Sequence, residues 1–454
     1  MKGIPHCLYI RMKSLNGHLV CFLYLYLILA LGYISAKVEF SEEFYNNWIE
    51  KYRKLSGNER PPKLYKTWIQ EASRLGVSVE PSIYKPIFEQ VKYFKDKRIT
   101  SKYIREQHRK VSALFPDRND IALLNVTELM YSKRWRHWPR TSNFDMLKSV
   151  LDPNIDCLAI TQHYDEGMVI PSDDNSEMPY TDMKDVFRRS KVMRDLWGDY
   201  ANKCIHLQAP RSFIVVPHFV PIFGVNRLRG GIDLLFATEQ TGILNHEFHL
   251  QYALNAPNWE NKKNVAIFRG KATGINYEKC LKENISLNNN PRIKLHEMSL
   301  LQKQGKLQCN VTLNFGVSDW LFETPKVQEA LGGKYEKASF LSYVDQFQAK
   351  YIIVVDGHGW ADRTAFMMAS GSLMFHSTLH EDWVSNQIIP NEHYIKVKPD
   401  LSDLIEKLEW ANKNDSEAKR IAQNGKEFAL MSLRRNQVKV YNGMLFMHYQ
   451  TLFE

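Results

Sequence analysis

The chain has 454 residues, 44% of them hydrophobic and 12% aromatic, which excludes a disordered or low-complexity protein and exceeds what one ordinary core organises. Lys+Arg 60 against Asp+Glu 50 gives a net charge of +10, a balance that favours anionic partners such as nucleotides or membrane headgroups. The excess is spread along the chain and forms no basic tail, so a nucleic-acid partner is not expected.

The first element is apolar. Residues Leu19 to Ala36, "LVCFLYLYLILALGYISA", carry no charge and follow Lys2, Arg11 and Lys13. Such a stretch spans a bilayer with its positive flank on the cytoplasmic side. Residues 1–36 are therefore expected to be a cytoplasmic tail and type II signal anchor, with the rest of the chain lumenal. The alternative is a cleaved signal peptide ending at "ISA" before Lys37, which leaves a secreted or lumenal protein. Residues 37–110 read as charged helices, a stem and lead-in, with "EEFYNNWIEKYRKL" and "YKPIFEQVKYFKDK" separated by the break at Arg60-Pro61-Pro62.

From about residue 120, short apolar runs alternate with amphipathic stretches. Residues 157–162, 212–217, 264–270, 351–357, 372–377 and 394–400 read as strands, and 402–414 as a helix. This alternation predicts an α/β protein with parallel sheets covered on both faces. Two Rossmann-like domains facing a cleft are expected, over 111–255 and 256–435, with the boundary in the polar, proline-containing segment near 250–262 and a C-terminal tail at 436–454.

In the body of the chain Cys157, Cys204, Cys280 and Cys309 allow three pairings. Pairing Cys157 with Cys204 and Cys280 with Cys309 keeps each bridge within one domain. Asn125, Asn284, Asn310 and Asn414 each open an N-x-[ST] sequon, as suits glycosylation of a lumenal protein. The closing "HYQTLFE" has no KDEL-like signal, so a Golgi membrane location is expected ahead of the ER.

Three strand ends carry candidate chemistry. "YIIVVDGHGWADR" (351–363) runs from an apolar strand through Gly357 and Gly359 into a helix, with Arg363 in its first turn. A cation there opposes the helix dipole unless an anion is bound; the other reading pairs Arg363 with Asp356 or Asp362. "FRGKATG" (268–274) repeats the pattern with Arg269, Gly270, Lys271 and Thr273. It is not a P-loop, since Val265 and Ala272 stand where glycine and Ser or Thr are needed. It reads either as a diphosphate turn or as an ordinary basic loop. "ITQHYDEG" (160–167) sets His163, Asp165 and Glu166 at the end of a strand in the other domain. A carboxylate there suits a general base, and a solvated loop tip is the alternative.

Other segments carry less. "HEFH" (246–249) lacks the spacing of a zinc helix. "SDDN" (172–175) follows no strand, and no metal site is expected. "KRWRHWPR" (133–140) mixes basic and aromatic residues as nucleic-acid binders do, but in a lumenal protein it is expected to line part of the first domain, where aromatic faces can also stack on sugars.

Together these motifs resemble glycosyltransferase family 90, the group of capsule-associated transferases and protein O-glucosyltransferases. The resemblance covers about residues 60–435 and rests on the Asp-Glu pair, on "FRG..TG" and on "DGxGW..R". It also rests on "GSLMFHSTLHEDW" and "HYIKVKPDLSDL", while "RPPKLYKTWIQEA" leans toward the fungal-type branch. It implies a GT-B fold, a UDP-sugar donor substrate and inverting transfer without a metal or other cofactor. It places Asp165 as catalytic base, Arg269 and Arg363 on the diphosphate, and Gly270, Thr273, Gly357, Trp360 and Gly371 around the nucleotide. Ala361, Asp362 and Gln162 depart from the family's pattern.

The expected activity is transfer of xylose or glucose from UDP to a glycan or protein hydroxyl in the secretory pathway. The alternatives are an ER-type protein O-glucosyltransferase and an inactive glycan-binding relative.

Overall fold

A computed structural model of the chain describes residues 40–57, 60–77, 79, 81–97, 99–114, 121–126, 144–162, 169–174, 178–210, 220–237, 252–319, 336–432 and 435–453. The expected anchor at 19–36 and the expected strand at 212–217 lie outside them. Among the described residues no helix is long and apolar enough to cross a membrane.

The lead-in is helical, as its charged amphipathic pattern predicts. Helix α1 (Glu42–Ser56) begins at Ser41, whose hydroxyl accepts from Phe44 N at 3.0 Å, and ends at Gly57 with φ 77°. Cap, first-turn Glu42 and Glu43, and left-handed exit all match what a helix needs at its ends. The Arg60–Pro62 break separates it from α2 (Tyr65–Arg74), and α3 (Pro81–Lys92) and α4 (Ser101–Ala113) follow.

A first sheet comprises β1 (Ile121–Asn125), β2 (Leu158–Gln162), β3 (Ile222–Gly224) and β5 (Leu234–Leu235), in the order β1-β2-β3-β5. Strand β1 is antiparallel to β2, and the others are parallel. Between them lie α5 (Phe144–Val150), α6 (Met183–Arg189), α7 (Lys191–Trp197), α8 (Ile205–Gln208) and the short β4 (Asn226–Leu228).

The second sheet is wholly parallel. Its strands are β6 (Lys263–Lys271), β7 (Thr312–Asp319), β8 (Ala349–Val355), β9 (Leu373–Ser377) and β11 (Ile395–Lys396), ordered β11-β9-β8-β6-β7. Parallel strands need crossovers, and helices supply them on both faces. Helices α9 (Tyr277–Lys282) and α10 (Pro291–Lys303) join β6 to β7, α11 (Tyr343–Gln346) precedes β8, and α12 (Thr364–Ala369) joins β8 to β9. After β11 come α13 (Leu404–Lys413), α14 (Asp415–Ser432) and α15 (Arg435–Gln450). Alternate residues of the strands divide between two cores. Phe268, Tyr351 and Ile353 pack with Leu295 and Leu404, while Ile267, Ile352 and Val354 share a core with Phe366 and Met367. This is the expected α/β architecture with Rossmann-like layering.

The lead-in and the last residues are not appendages. Trp48, Tyr52, Tyr65, Trp68 and Phe88 form a buried aromatic cluster closed by His448 of α15. Trp68 Nε1 donates to Val440 O at 2.9 Å, Tyr449 Oη donates to Leu158 O at 2.6 Å, and Asn442 pairs with both backbone groups of Ala237. The segment expected as a tail at 436–454 thus crosses back to knit the helical lead-in onto the first sheet.

The expected disulfides are not formed. Cys157, Cys204, Cys280 and Cys309 are free thiols, and each belongs to a different apolar cluster. Burial, ahead of neighbouring charges, pushes the Cys204 thiol up to about 12 and that of Cys280 to about 11. Asn284, Asn310 and Asn414 are exposed, whereas Asn125 is half-buried in β1.

Candidate functional site

In the second sheet the chain runs one way from β6 to β7 and the other way from β8 through β9 to β11. The order reverses between β6 and β8, and at such a switch point the crossovers leave on opposite faces and open a crevice beyond the strands' carboxyl ends. Both motifs singled out in this half fall there: "FRGKATG" at the end of β6 and "DGHGWADR" at the end of β8.

The two turns touch. Gly274, with φ +101°, lies so close that a Cβ on it would stand 2.0 Å from the Gly357 carbonyl oxygen and 2.2 Å from His206 Nε2. Its amide donates to His358 Nδ1 at 3.2 Å. Glycine is required here both for the left-handed backbone and for the contact. Gly357 has its own constraint, since a Cβ would lie 2.8 Å from an Arg292 guanidinium nitrogen and 3.2 Å from Thr273 Oγ1.

Two guanidiniums converge on this turn pair. Arg363 is 9% exposed, sets its Cζ 5.2 Å from the centre of the Phe268 ring, and donates to Arg269 O at 2.5 Å. Arg292 is 8% exposed, with Cζ 5.9 Å from the same ring centre. It enters from the first turn of α10, where the Asn290 side chain caps the helix and accepts from Arg292 N at 2.9 Å. Its Nε donates to Asp356 O at 2.8 Å and a terminal nitrogen to Lys271 O at 2.8 Å, which ties the ends of β6 and β8 together. A Cβ on Gly270 would stand 3.4 Å from the Arg363 guanidinium and 3.5 Å from that of Arg292.

Neither cation forms an ion pair among the described residues. Burial first, then the nearby Arg363 charge, lowers the Arg292 pKa to about 9. Burial lowers that of Arg363 as well, against the pull of Tyr343 and Asp362. Asp362 is exposed and acts on Arg363 only from a distance. Asp356 faces away, accepting from the Leu379 amide at 2.6 Å, from Thr378, and at 3.1 Å from His380 Nδ1. The alternative in which Arg363 pairs with either aspartate is therefore not what the structure contains. Desolvation raises the Asp356 pKa, but the His380 hydrogen bond and charge outweigh it and leave the carboxyl below its ordinary value.

Arg269 behaves differently. On a strand successive side chains alternate, so it points to the face opposite Phe268 and Gly270. Its guanidinium donates to the carbonyls of Phe268, Asn314 and Ser339 at 3.0 Å and to Asn314 Oδ1 at 2.8 Å. The structure brings Arg363, Gly270, Thr273 and Gly357 together and directs the Arg269 side chain toward β7. Arg292, absent from the sequence reading, takes the second position beside Arg363. Its signal was present in "NNNPRIKL": a cation just inside a helix start marked by Asn and Pro, the same dipole conflict noted for Arg363.

Trp360 is half-buried at the end of the β8 turn, and its indole Nε1 is shielded without a hydrogen-bond partner among the described residues. Gly371 stands elsewhere. Helix α12 carries the chain back before it, so Gly371, with φ +71°, makes the left-handed exit into β9 beside Lys426 at the opposite edge of the sheet. The acidic "SDDN" residues bind cations of the protein: Asp174 pairs with Arg189 at 3.0 Å and Asp173 with Arg194 at 2.9 Å. Among the described residues no group of His, Cys, Asp and Glu is arranged to hold a metal.

The first sheet meets this edge through β4, which pairs antiparallel with β10 (His380–Asp382) directly after β9. Within the ribbon Arg227 and Glu381 form an ion pair at 2.7 Å. Buried His206, from α8, reaches the Gly274–Gly357 contact, and burial lowers its pKa to about 4. Asp165 and its neighbours His163 and Glu166 lie outside the described residues, as do "HEFH" and "KRWRHWPR". The last described residue before them is Gln162, at the end of β2.

Comparison with known proteins agrees with this half of the chain. Residues 242–454 match the model of glycosyl transferase family 90. The chain is 32% identical to protein O-glucosyltransferase 2 of Danio rerio over 197 residues, which is 43% of this chain and 34% of that protein. It is 33% identical to protein O-glucosyltransferase 3 of Rattus norvegicus over 171 residues, 37% of this chain and 28% of the relative. With the Homo sapiens protein O-glucosyltransferase 3 it shares 30% identity over 202 residues, 44% of this chain and 34% of the other. The similarity thus spans about a third of these relatives' length. The residues matched contain the switch-point crevice, both glycine turns and both buried arginines, so over residues 242–454 the chain carries a glycosyl transferase family 90 match.

Proposed function

We propose that this protein is an inverting, metal-independent glycosyltransferase that moves glucose or xylose from a UDP-sugar to a glycan or protein hydroxyl in the secretory pathway. The observation that carries this reading is the pair of buried guanidiniums, Arg292 and Arg363, at the switch point, neither in an ion pair among the described residues. Two buried like charges repel, and a diphosphate between the glycine turns relieves that repulsion while gaining charged hydrogen bonds. The shielded Trp360 Nε1 offers a further donor.

In the transfer, the acceptor oxygen bonds to the anomeric carbon from the face opposite UDP. The bond from that carbon to the phosphate oxygen breaks, and its electron pair leaves with UDP. Asp165, which follows β2 in the sequence, takes the hydroxyl proton. Arg363 and Arg292 stabilise the charge that develops on the diphosphate, a role that pays off most in a site screened from water. Arg269 supports the β6 turn from the opposite face. The acidic pair of residues 173 and 174 has no part in the step.

Arg363 and the Gly357 turn are the parts of this reading common to any sugar nucleotide. A narrower reading is an ER-type protein O-glucosyltransferase, whose sugar and protein acceptor are those in the names of the relatives. The test is release of UDP and transfer of sugar by the purified chain across UDP-glucose, UDP-xylose and other UDP-sugars, with glycan and peptide acceptors. Turnover of UDP-glucose onto peptide alone selects the narrower reading; absence of UDP binding overturns both.

A further inference from the structure

The Arg60-Pro61-Pro62 break has no part in the crevice described above. It lies against the end of α15, where it helps enclose a cavity of about 460 Å³, within the range of small-ligand sites. None of the walls belongs to the turns at the carboxyl edge of the parallel sheet.

Two independent features of this cavity point to a ligand. Arg60, Lys63 and Lys95 all line it, and among the described residues no carboxylate does. Among the described residues neither Arg60 nor Lys63 is in an ion pair. His448, which also lines it, is 2% exposed, and among the described residues its Nε2 has no hydrogen-bond partner. Buried polar atoms are nearly always satisfied, so an orphaned ring nitrogen against a cavity wall asks for a partner inside it. Burial, with Lys95 adding to it, holds His448 neutral by lowering its pKa to about 3. A neutral imidazole exchanges a hydrogen bond with a hydroxyl and does not act as a fourth cation. The faces of Pro61 and Pro62 supply apolar contact for the C–H face of a ring.

We propose that this cavity binds an acidic sugar, a hydroxylated ring bearing a carboxylate or a phosphate. The anionic group lies among Arg60, Lys63 and Lys95, and a ring hydroxyl pairs with His448 Nε2. A uronic acid residue of a glycan and a free sugar phosphate share this chemistry. The site is separate from the nucleotide crevice and does not depend on the reaction carried out there.

Calorimetric titration of the full chain with glucuronic acid, glucose 6-phosphate and neutral glucose tests it, with UDP titrated into the same samples. At least one acidic sugar is expected to bind with one-to-one stoichiometry, and neutral glucose to bind at least tenfold more weakly. Lys63→Glu, an exposed position, is expected to weaken the acidic sugar at least tenfold and to leave UDP affinity unchanged. His448→Phe keeps an aromatic ring in the cluster and is expected to weaken the same ligand without changing the charge of the rim. Preference for glucuronic acid identifies the glycan source, and preference for the phosphate identifies the metabolite. If neither acidic sugar binds, if glucose binds as well as both, or if Lys63→Glu has no effect, the proposal is wrong whatever UDP does.

Discussion

Arg292 and Arg363 set their guanidinium carbons 5.9 and 5.2 Å from the centre of one ring, that of Phe268, and both are buried. They differ in what else they hold. Arg292 donates to the carbonyls of Lys271, Val355 and Asp356, whereas among the described residues Arg363 donates to that of Arg269 alone.

The difference separates two mutants. Arg363→Ala should weaken UDP by roughly 10–100-fold, as expected for loss of a charged hydrogen bond worth about 1.5–3 kcal/mol, with little loss of stability. Arg292→Ala should weaken UDP and also destabilise the fold by about 3 kcal/mol, because buried carbonyls lose their donor. Calorimetry and urea unfolding measure both; an unchanged UDP affinity in Arg363→Ala removes the diphosphate assignment.

Gly274→Ala tests the contact between the turns. The new methyl would collide with the Gly357 carbonyl and His206 from a backbone at φ +101°. Left-handed strain alone is worth about 1–3 kcal/mol, and the clash adds to it. Both stability and UDP binding should fall, whereas Gly305→Ala, at φ +71° with nothing near its Cβ, should affect stability only.

Asp165→Asn should reduce transfer by about 10²–10⁴-fold, the range of general-base catalysis, and leave UDP affinity intact. EDTA should leave turnover unaffected. A strict requirement for manganese would overturn the metal-independent part of the mechanism, and full activity in the mutant would end the role of Asp165.

Stability should fall in mild acid. His206 and His376 are held neutral down to about 4 and His448 to about 3, in each case by burial first. Below about 6.5 the unfolded chain takes up protons on these rings that the folded chain refuses, so the unfolded state binds more protons and stability falls with pH. The contribution is complete above about 6.5 and is lost toward about 4, with a slope of up to about 1.4 kcal/mol per pH unit for each ring. Asp382, whose pKa burial raises, acts in the opposite sense in the carboxylate range. Urea unfolding at a series of pH values from 8 to 4 measures the slope, and His376→Gln should reduce it by about one ring's share.

The strands of the second half were legible because they are buried on both faces and so read as continuous apolar runs between glycine turns. The runs at 264–270, 351–357 and 372–377 became β6, β8 and β9 almost residue for residue. Gly357, Gly270, Thr273 and Arg363 could be picked out because a strand end, a glycine and a cation lie within a few residues of one another. The resemblance to glycosyl transferase family 90 rested on the same local motifs.

Tertiary structure alone decided the rest. Whether Arg269 faces the crevice depends on which side of β6 it occupies, and strand alternation puts it opposite Arg363. Arg292, some twenty residues beyond the β6 turn, becomes a neighbour of Arg363 only because α10 returns its first turn to the same sheet edge. Gly371 leaves the site because α12 spans the sheet before reaching it. The cysteines stay unpaired and the last helix packs the lead-in onto the first sheet for a common reason: packing joins residues hundreds of positions apart, such as Trp68 and Val440, and no periodicity in a sequence encodes that distance.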